Sequence, residues 1–485
     1  MVKKIKHASW FILVILALAQ FMVVLDSSIV NVMLPTVQRA FHISESNLQW
    51  IITAYTITFG GFLLLGGRAA DLFGRKKVFI IGVTLFTIAS LIDGFSQSST
   101  MLIIVRSIQG LAGAFMSPSA LSIILVTYKE GHDRNVALSV WGAVAAGGAA
   151  AGVLLGGIIT QYLGWRWNFF VNVPVGIFVA ASAFRVLPKH ESEETHSDLD
   201  LPGAVSITAS LMLLVYALVE APSKGWTSHS SLLYFGLSAI LMIFFIINES
   251  RVKNPLMPLS IFKIRNVSGA NIIQLMIASS LFSLFFFVTL YIQNILGYSP
   301  VKTGLSFLVI PAIIAITATN APRIIKIVGY RKVLIVTPIL IAIGLYMLGH
   351  IKVGGSYITN VLPGLIVMAL GLGFTFVSIL VAATTGIAGH LSGLASGLVN
   401  TSQQLGGSIG LAILTGIAAS TTARYLDNTK HLTKNTAALA EVHGFSVALY
   451  VAVSFAILAI LVAIFVIKQQ KVSDKDIAQA MTSAG

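Results

Sequence analysis

Fourteen apolar runs are the feature that most constrains what this chain can fold into. Each run is about 17 to 25 residues long, which suits an α-helix that crosses a bilayer. Of the 485 residues, 56% are hydrophobic and only 10% are charged, and a soluble chain cannot bury that much apolar surface around one core. The runs cover approximately residues 10–33, 48–66, 78–96, 101–125, 136–161, 166–187, 201–219, 231–248, 266–291, 303–320, 333–350, 359–383, 395–418 and 444–467. The sequence therefore predicts an all-α protein of the lipid bilayer with fourteen transmembrane helices.

The distribution of Lys and Arg predicts how the chain is oriented. With the amino terminus inside, the inner segments hold 22 of these residues and the outer segments hold 8. Because loops rich in Lys and Arg remain cytoplasmic, both termini of this multi-pass protein are expected in the cytoplasm, and the membrane is the cell (inner or plasma) membrane. The same loops account for the net charge of +14, so no nucleic-acid partner is expected. The first run carries Asp26 and is too long for a signal peptide, which favours an uncleaved helix.

The segment 67–77 is the most polar short stretch in the first hundred residues. It reads Gly67-Arg-Ala-Ala-Asp71-Leu-Phe-Gly74-Arg75-Lys76-Lys77 and lies between two apolar runs. Its glycines allow a tight bend and close approach of the backbone. Asp71 can neutralise part of the surrounding positive charge or lie at a helix N-terminus. The alternative interpretation is a plain cationic turn that only marks the inner side of the membrane.

Asp26 and Arg106 are the charged residues that lie well inside apolar runs. A charge within the bilayer is costly, so it usually faces a cavity or a partner and has a function. A partly buried carboxyl can load and release protons, which makes Asp26 a candidate proton carrier. Arginine stays charged, so Arg106 needs a counter-ion or water. The alternatives are a carboxyl satisfied by neighbouring Ser and Asn side chains, and an arginine that only clamps backbone carbonyls.

The expected depths of these two residues allow them to meet. They lie about nine and five residues below the predicted outer ends of their helices, so their depths differ by about 6 Å. We expect Asp26 and Arg106 to form a pair that separates when Asp26 is protonated.

The remaining charges and the histidines do not predict a chemical site. Asp93, Glu220 and Glu249 lie near the ends of apolar runs and are expected to be solvated helix ends. The chain has no cysteine, its histidines show no metal-ligand spacing, and it has neither a phosphate-binding loop nor a nucleophile elbow. No metal or other cofactor is expected, and the chain is not expected to be an enzyme.

A weak internal repeat indicates two halves. A shift of 255 residues places the segment 74–78 on the segment 329–333, Gly-Arg-Lys-Lys-Val on Gly-Tyr-Arg-Lys-Val. Parallel repeats are typical of transporters that rock two helix bundles about a central site. The predicted organisation is an N-terminal six-helix bundle at 1–189, a linker with two extra helices at 190–265, and a C-terminal six-helix bundle at 266–485 with an outer loop at 419–444.

Several segments resemble the fourteen-helix drug:proton antiporters of the major facilitator superfamily. They are Leu25-Asp26…Asn31-Val32…Leu34-Pro35, the loop at 67–77, Arg106…Gln109-Gly110, the glycines Gly148, Gly152, Gly156 and Gly157, and the segment 165–174, which reads Trp-Arg-Trp-Asn-Phe-Phe-Val-Asn-Val-Pro. The resemblance implies the major facilitator fold, two six-helix bundles plus two extra transmembrane helices. It also implies export of amphipathic drugs in exchange for protons by alternating access. It assigns proton coupling to Asp26 and Arg106, and it assigns gating to the loop residues Gly67, Asp71, Gly74, Arg75 and Lys76.

Two departures from the family pattern bear on mechanism and substrate. Val153 replaces the proline of the antiporter-type glycine helix, which removes a kink site, whereas the glycines still offer a smooth face for close packing. No carboxylate lies in the thirteenth run, so dicationic substrates are not expected. Candidate residues for a substrate cavity are Asn31, Tyr55, Gln109, Asn400, Gln403 and Gln404.

Two other functions remain open from the sequence. The chain could be a dedicated exporter of one endogenous metabolite or lipid precursor, or a non-transporting sensor or scaffold that has the same fold. The expected partners are a small amphipathic substrate and protons, and a monomer is expected.

Overall fold

The structure, a computed structural model, describes residues 2–129, 131–188, 199–387, 391–429 and 433–470. All regular secondary structure within these ranges is helical. The α-helices are α1 (Val2–Phe41), α2 (Glu45–Leu48), α3 (Trp50–Phe73), α4 (Arg75–Gly94), α5 (Ser99–Thr127), α6 (His132–Tyr162), α7 (Trp167–Phe170), α8 (Asn172–Val186), α9 (Leu201–Lys224), α10 (His229–Arg251), α11 (Arg265–Leu290), α12 (Pro300–Phe307), α13 (Val309–Val328), α14 (Tyr330–Leu348), α15 (Leu362–Thr384), α16 (Ser392–Asp427) and α17 (Lys434–Phe465). A 3-10 turn lies at Leu259–Lys263, and π-helical turns lie at Tyr291–Ile295 and Tyr357–Val361.

Fourteen helical stretches in the described ranges are long and apolar enough to cross a membrane, which confirms the predicted fold class. Several of them extend beyond the apolar runs. The first was expected to end near residue 33, but α1 continues to Phe41 with Pro35 inside it. Neighbouring helices can compensate for a proline in a membrane helix. Asp26 is therefore fifteen residues from the end of α1, deeper than the nine residues that the sequence suggested.

Two equivalent glycines mark the repeat in three dimensions. We call the side of the molecule that carries the amino terminus the amino-terminal face, and the other side the opposite face. At the amino-terminal face, Gly74 joins α3 to α4 with φ of 92°, and Gly329 joins α13 to α14 with φ of 84°. Glycine adopts this left-handed conformation at no steric cost. The two halves of the repeat thus make the same sharp bend.

Two cations that are also related by the repeat cap helix ends. Lys76 donates from Nζ to the carbonyl oxygens of Phe184 at 2.8 Å and Leu187 at 2.5 Å, at the end of α8. Arg331 donates to the carbonyl oxygen of Ile464, near the end of α17, at 2.7 Å. The last carbonyls of a helix have no partner within the helix. These side chains therefore tie α4 to α8 and α14 to α17.

Glycines allow α6 to pack closely against α1. A Cβ added at Gly152 would lie 2.5 Å from Ser28 Cβ, and one added at Gly156 would lie 2.8 Å from Ile29 Cγ1. Gly157 faces α12 instead, where an added Cβ would lie 2.5 Å from the carbonyl oxygen of Pro300, and Gly148 lies near Val24 of α1. The predicted glycine face therefore forms two close helix contacts.

The extra pair, α9 and α10, packs on the outside of the two halves where they meet. Leu211 and Val215 of α9 form one apolar cluster with Ile57 of α3 and Ala412 of α16. Within the pair, Ser210 and Ser238 each donate a hydrogen bond to the other's carbonyl oxygen, both at 2.8 Å. These helices are thus attached to α3 and α16 and do not line the space between the halves.

The two halves are in contact at the opposite face. Gln293, just after α11, donates to the carbonyl oxygen of Val32 at 2.8 Å. The backbone N–H of Val301 on α12 donates to Gln161 Oε1 on α6 at 3.2 Å. A Cβ on Gly304 of α12 would collide with the backbone of α6. These contacts close the space between the halves on this side.

One predicted loop is mostly helical. The sequence predicts an outer loop at 419–444, but α16 continues to Asp427 and α17 begins at Lys434. The connection between them is therefore short, and residues 430–432 within it lie outside the described residues. The same holds for residue 189, for residues 190–198 of the predicted linker and for residues 471–485.

Candidate functional site

Asp26 and Arg106 are in direct contact at the centre of the first half. The guanidinium Nη1 of Arg106, on α5, donates to Asp26 Oδ2 on α1. The side chain of Arg106 is 1% exposed and that of Asp26 is 0% exposed. The predicted contact is thus present, although α1 is longer than expected. A buried ion pair needs further hydrogen bonds to offset the loss of hydration. The stability of this pair therefore also depends on the residues around it.

Two amide side chains complete the hydrogen bonding of the carboxylate. Gln109 Nε2 donates to Asp26 Oδ1 at 3.0 Å, and Asn172 Nδ2 of α8 donates to the same oxygen at 3.1 Å. Gln109 lies three residues after Arg106 on the same face of α5 and accepts from its Nη1 at 2.7 Å. Arg106 Nε donates to the carbonyl oxygen of Ile51 at 3.2 Å. Both charges therefore have several partners.

Aromatic rings enclose the guanidinium. Arg106 Cζ lies 4.3 Å from the ring centroid of Tyr55 on α3 and 5.8 Å from that of Phe169 on α7. A cation over an aromatic ring gains electrostatic attraction, and the gain increases when water is excluded. A side chain at Gly110 would collide with the carbonyl oxygen of Tyr55, so this glycine lets α3 approach α5 closely enough for the ring to contact Arg106.

A cavity of about 430 Å³ lies between the two halves, within the range typical of small-molecule sites. It reaches from Asn31 towards the amino-terminal face, as far as Gln20 and Ser117. Apolar side chains from both halves form most of its wall. Of the predicted cavity residues, those that line it are Asn31, Tyr55, Asn400, Gln403 and Gln404.

Arg106, Asp26 and Gln109 differ in whether they line the cavity. Arg106 forms part of the cavity wall, whereas Asp26 lies behind it with no exposed surface. Gln109 was predicted to line the cavity, but it is fully buried and binds both charges of the pair. The prediction for Gln109 was wrong because the sequence did not show that its amide points towards Asp26.

The segment 67–77 lies apart from this cavity, at the amino-terminal face, and it is not the predicted loop. Helix α3 continues to Phe73 and α4 begins at Arg75, so Gly74 is the single residue between them. Asp71 accepts from Arg75 at 3.1 Å, and its side chain is 52% exposed. Gly74 makes the predicted bend. Gly67 does not make the expected close approach, since a Cβ added there would lie 3.7 Å from Pro118, whereas Gly66 contacts the backbone of Ala114 directly. The close approach is thus one residue earlier than predicted.

The sequence did not identify two of the residues at this centre. Asn172 belongs to the segment 165–174 that resembles the family, but its position in the sequence does not indicate that it binds Asp26. Asp93 was expected to be a solvated helix end, yet it is fully buried. Glu249 was also expected to be solvated and is buried, accepting from the backbone N–H of Met257 at 3.0 Å. Glu220 lies at a helix end in an ion pair with Lys224.

Comparisons with known proteins agree with this architecture. The model of the Major Facilitator Superfamily matches residues 16–411. The puromycin resistance protein pur8 of Streptomyces alboniger is 37% identical over 98% of this chain and 95% of its own length. The cephamycin export protein CmcT of Amycolatopsis lactamdurans is 34% identical over 85% of each chain.

The solved structures show the same fold at low sequence identity. The crystal structure of a bacterial homologue of the human lysosomal transporter Spinster, in an inward-facing and unoccupied conformation, aligns with a TM-score of 0.65 and 15% identity. The alignment covers 94% of this chain and 96% of that one.

Proposed function

This chain belongs to the Major Facilitator Superfamily, and we propose that it is a proton-coupled antiporter that exports amphipathic drugs or similar compounds. The observation that carries the proposal is the buried Asp26–Arg106 pair, whose arginine forms part of the wall of a central cavity. The relatives that resemble this chain over most of its length include proteins named for antibiotic resistance or export, which supports the same function.

The ion pair supplies the coupling step. While Asp26 is ionised, Arg106 holds α5 against α1 through a direct hydrogen bond. Protonation of Asp26 removes its negative charge, so the attraction to Arg106 falls and the helices are free to move. This is a local change of charge that biases an element with two states. A cationic substrate competes with the proton for the negative charge of Asp26, so substrate binding releases the proton and export is coupled to proton uptake.

The cavity selects substrates by shape and apolar surface. Its polar groups include the amides of Asn31, Asn400, Gln403 and Gln404, which hydrogen-bond without a fixed charge. Asp26 lies behind the wall and supplies a single negative charge. Monovalent lipophilic cations and some neutral compounds therefore fit the cavity better than dications.

Alternating access requires two parts that move against each other, and the two halves supply them. We propose that residues 1–189 and 266–485 move as the two bundles and that 190–265 carries the extra pair. Contacts such as Gln293 to Val32 close the opposite face and must separate for release there. The cationic loops favour a cytoplasmic amino-terminal face in the plasma membrane, so release is to the outside. The segment with Asp71, at the end of α3, then acts on the cytoplasmic side as a gate.

A dedicated exporter of one metabolite is the second candidate. It is favoured by the cephamycin export protein, which is named for a single compound and covers 85% of this chain. Substrate breadth distinguishes the two functions, because a dedicated exporter would respond to one compound of a chemically diverse panel.

Proton release by purified protein tests the proposal. Tetraphenylphosphonium added to the wild type in weakly buffered micelles should displace protons, which a pH-sensitive dye detects. Asp26→Asn should release none. Glu220→Gln is a matched control, because it changes a carboxylate to an amide in an ion pair at the end of α9 and should behave as the wild type. Equal proton release from Asp26→Asn would refute Asp26 as the coupling residue.

A further inference from the structure

A second buried carboxylate lies close to the ion pair. Asp93 is one residue before the end of α4, at the opposite face, and has no exposed surface. Within the described ranges neither Oδ1 nor Oδ2 has a hydrogen-bond partner. An ionised carboxylate without donors is strongly destabilised when it is buried, and the negative end of a helix dipole adds to the cost. The site therefore favours the protonated form of Asp93.

The residues that follow Asp93 pack against α7 and the segment before it. The backbone of Gly94 packs against the ring of Phe170 on α7. Beyond it, Arg166 Nη2 donates to the carbonyl oxygen of Ser96 at 3.0 Å, which holds the turn against the segment before α7. Asp93 thus lies at the end of α4 that is nearer the opposite face.

A line of hydrogen-bonded polar side chains runs from Asp26 as far as Ser90, one helical turn before Asp93. Ser90 lies three residues before Asp93 and thus on the same face of α4. Asn172 Nδ2 donates to Ser90 Oγ at 3.1 Å and to Asp26 Oδ1, also at 3.1 Å. The charged groups that act on Asp93 are Arg106 from α5 and Asp26 from α1. Asp93 is therefore electrostatically linked to both members of the pair.

We propose that Asp93 is a second proton-carrying residue, which exchanges a proton with Asp26 and is the counter-ion of Arg106 while Asp26 is protonated. This inference rests on the proposed proton coupling and extends it to a second site. In one state Asp26 is ionised and Asp93 is protonated, and in the other state the two are reversed.

The exchange conserves protons and charge. A proton leaves a carboxyl oxygen of Asp93 and is bound by the carboxylate of Asp26, while Asp93 becomes the carboxylate. Arg106 stays charged throughout and has one negative partner in each state. Without Asp93, protonation of Asp26 would leave a buried guanidinium with no counter-ion, which is strongly unfavourable. Asp93 thus makes protonation of Asp26 energetically accessible.

The location of Asp93 gives the exchange a direction. Asp93 lies at the end of α4 next to the opposite face, whereas Asp26 lies deep in α1. A proton from the opposite face therefore reaches Asp93 first and Asp26 second. Ser90 and Asn172 are positioning residues along this line.

Transport in proteoliposomes tests the proposal with two modes of movement. Tetraphenylphosphonium uptake driven by a pH gradient needs proton transfer, whereas exchange of labelled for unlabelled tetraphenylphosphonium does not. Asp93→Asn should lower the driven rate by about 100-fold, the scale of a lost proton-transfer group, and should leave exchange unchanged within error. Asp93→Glu should restore driven uptake with an altered pH profile. Thr87→Val, a buried change on the same helix, is the control and should match the wild type.

The possible results separate the inference from the proposed function. Wild-type driven uptake by Asp93→Asn would overturn the role of Asp93 alone. Equal loss of driven uptake and exchange, with no recovery in Asp93→Glu, would show a structural role and would also overturn it. Absence of driven uptake in the wild type would instead refute the proposed function.

An infrared measurement tests the protonation of Asp93 without transport. The C=O stretch of protonated carboxyl groups should lose intensity in Asp93→Asn relative to the wild type at neutral pH, and Thr87→Val should show no loss. An unchanged band in Asp93→Asn would overturn the proposal, because Asp93 would then be ionised in the resting protein.

Discussion

Replacement of Gly152 by alanine should destabilise the protein through the contact between α6 and α1. The added Cβ would lie 2.5 Å from Ser28 Cβ and 3.0 Å from the carbonyl oxygen of Leu25. Neither atom is the far end of a flexible side chain, so α1 and α6 must separate. Ser28 and Leu25 flank Asp26, and the separation therefore also moves the carboxylate relative to Arg106.

A second glycine on the same helix allows the steric effect to be isolated. An added Cβ at Gly142 has nothing within 4 Å. Each Gly→Ala change gains about 0.8–1.0 kcal/mol of helix propensity, so this gain cancels in the comparison. Overpacking costs typically about 1–3 kcal/mol. We expect Gly152→Ala to be less stable than Gly142→Ala by this amount.

The free energy of unfolding can be measured by SDS titration in mixed micelles, with helix content followed by circular dichroism. Gly142→Ala should equal or exceed the wild type, and Gly152→Ala should fall below it. Driven transport should be reduced in Gly152→Ala alone. If Gly152→Ala is as stable as Gly142→Ala and transports equally well, the argument that close packing positions Asp26 is wrong.

Three further predictions concern the charges and the substrate. Arg106→Lys should retain only part of the transport rate in dye-efflux assays. The planar guanidinium donates to Asp26 and to the carbonyl oxygen of Ile51 from different nitrogens, which the single ammonium of lysine cannot do. Full activity would contradict this. Asp71→Asn should leave the unfolding free energy within about 1 kcal/mol of the wild type, since the Asp71 side chain is half-exposed in its pair with Arg75, but it should lower turnover in vesicles; wild-type turnover would exclude a gating role. In competition assays, monovalent lipophilic cations should displace a bound dye better than dications of similar size, and the opposite order would contradict the single-carboxylate site.

The sequence alone determined which segments cross the membrane. Backbone groups in lipid must be satisfied within each segment, so every long apolar run has to be a helix. The bend at Gly74 could be predicted because glycine adopts positive φ freely. Asp26 and Arg106 could be selected as functional candidates because a charge in the bilayer is costly. These are local properties, which depend on the residue and its near neighbours along the chain.

Only the tertiary structure decided which side chains meet. Asn172 binds Asp26 across 146 positions of sequence, and no local pattern contains that pairing. Asp93 looks solvated because it lies near the end of a helix, but in the fold it is fully buried, and the neighbouring Gly94 packs against Phe170 of α7. Gly66, and not Gly67, packs directly against the backbone of α5, because the rotation of α3 about its axis selects the residue that faces its neighbour. Burial and partnership at this site depend on how distant helices pack, and the sequence of one helix does not contain that information.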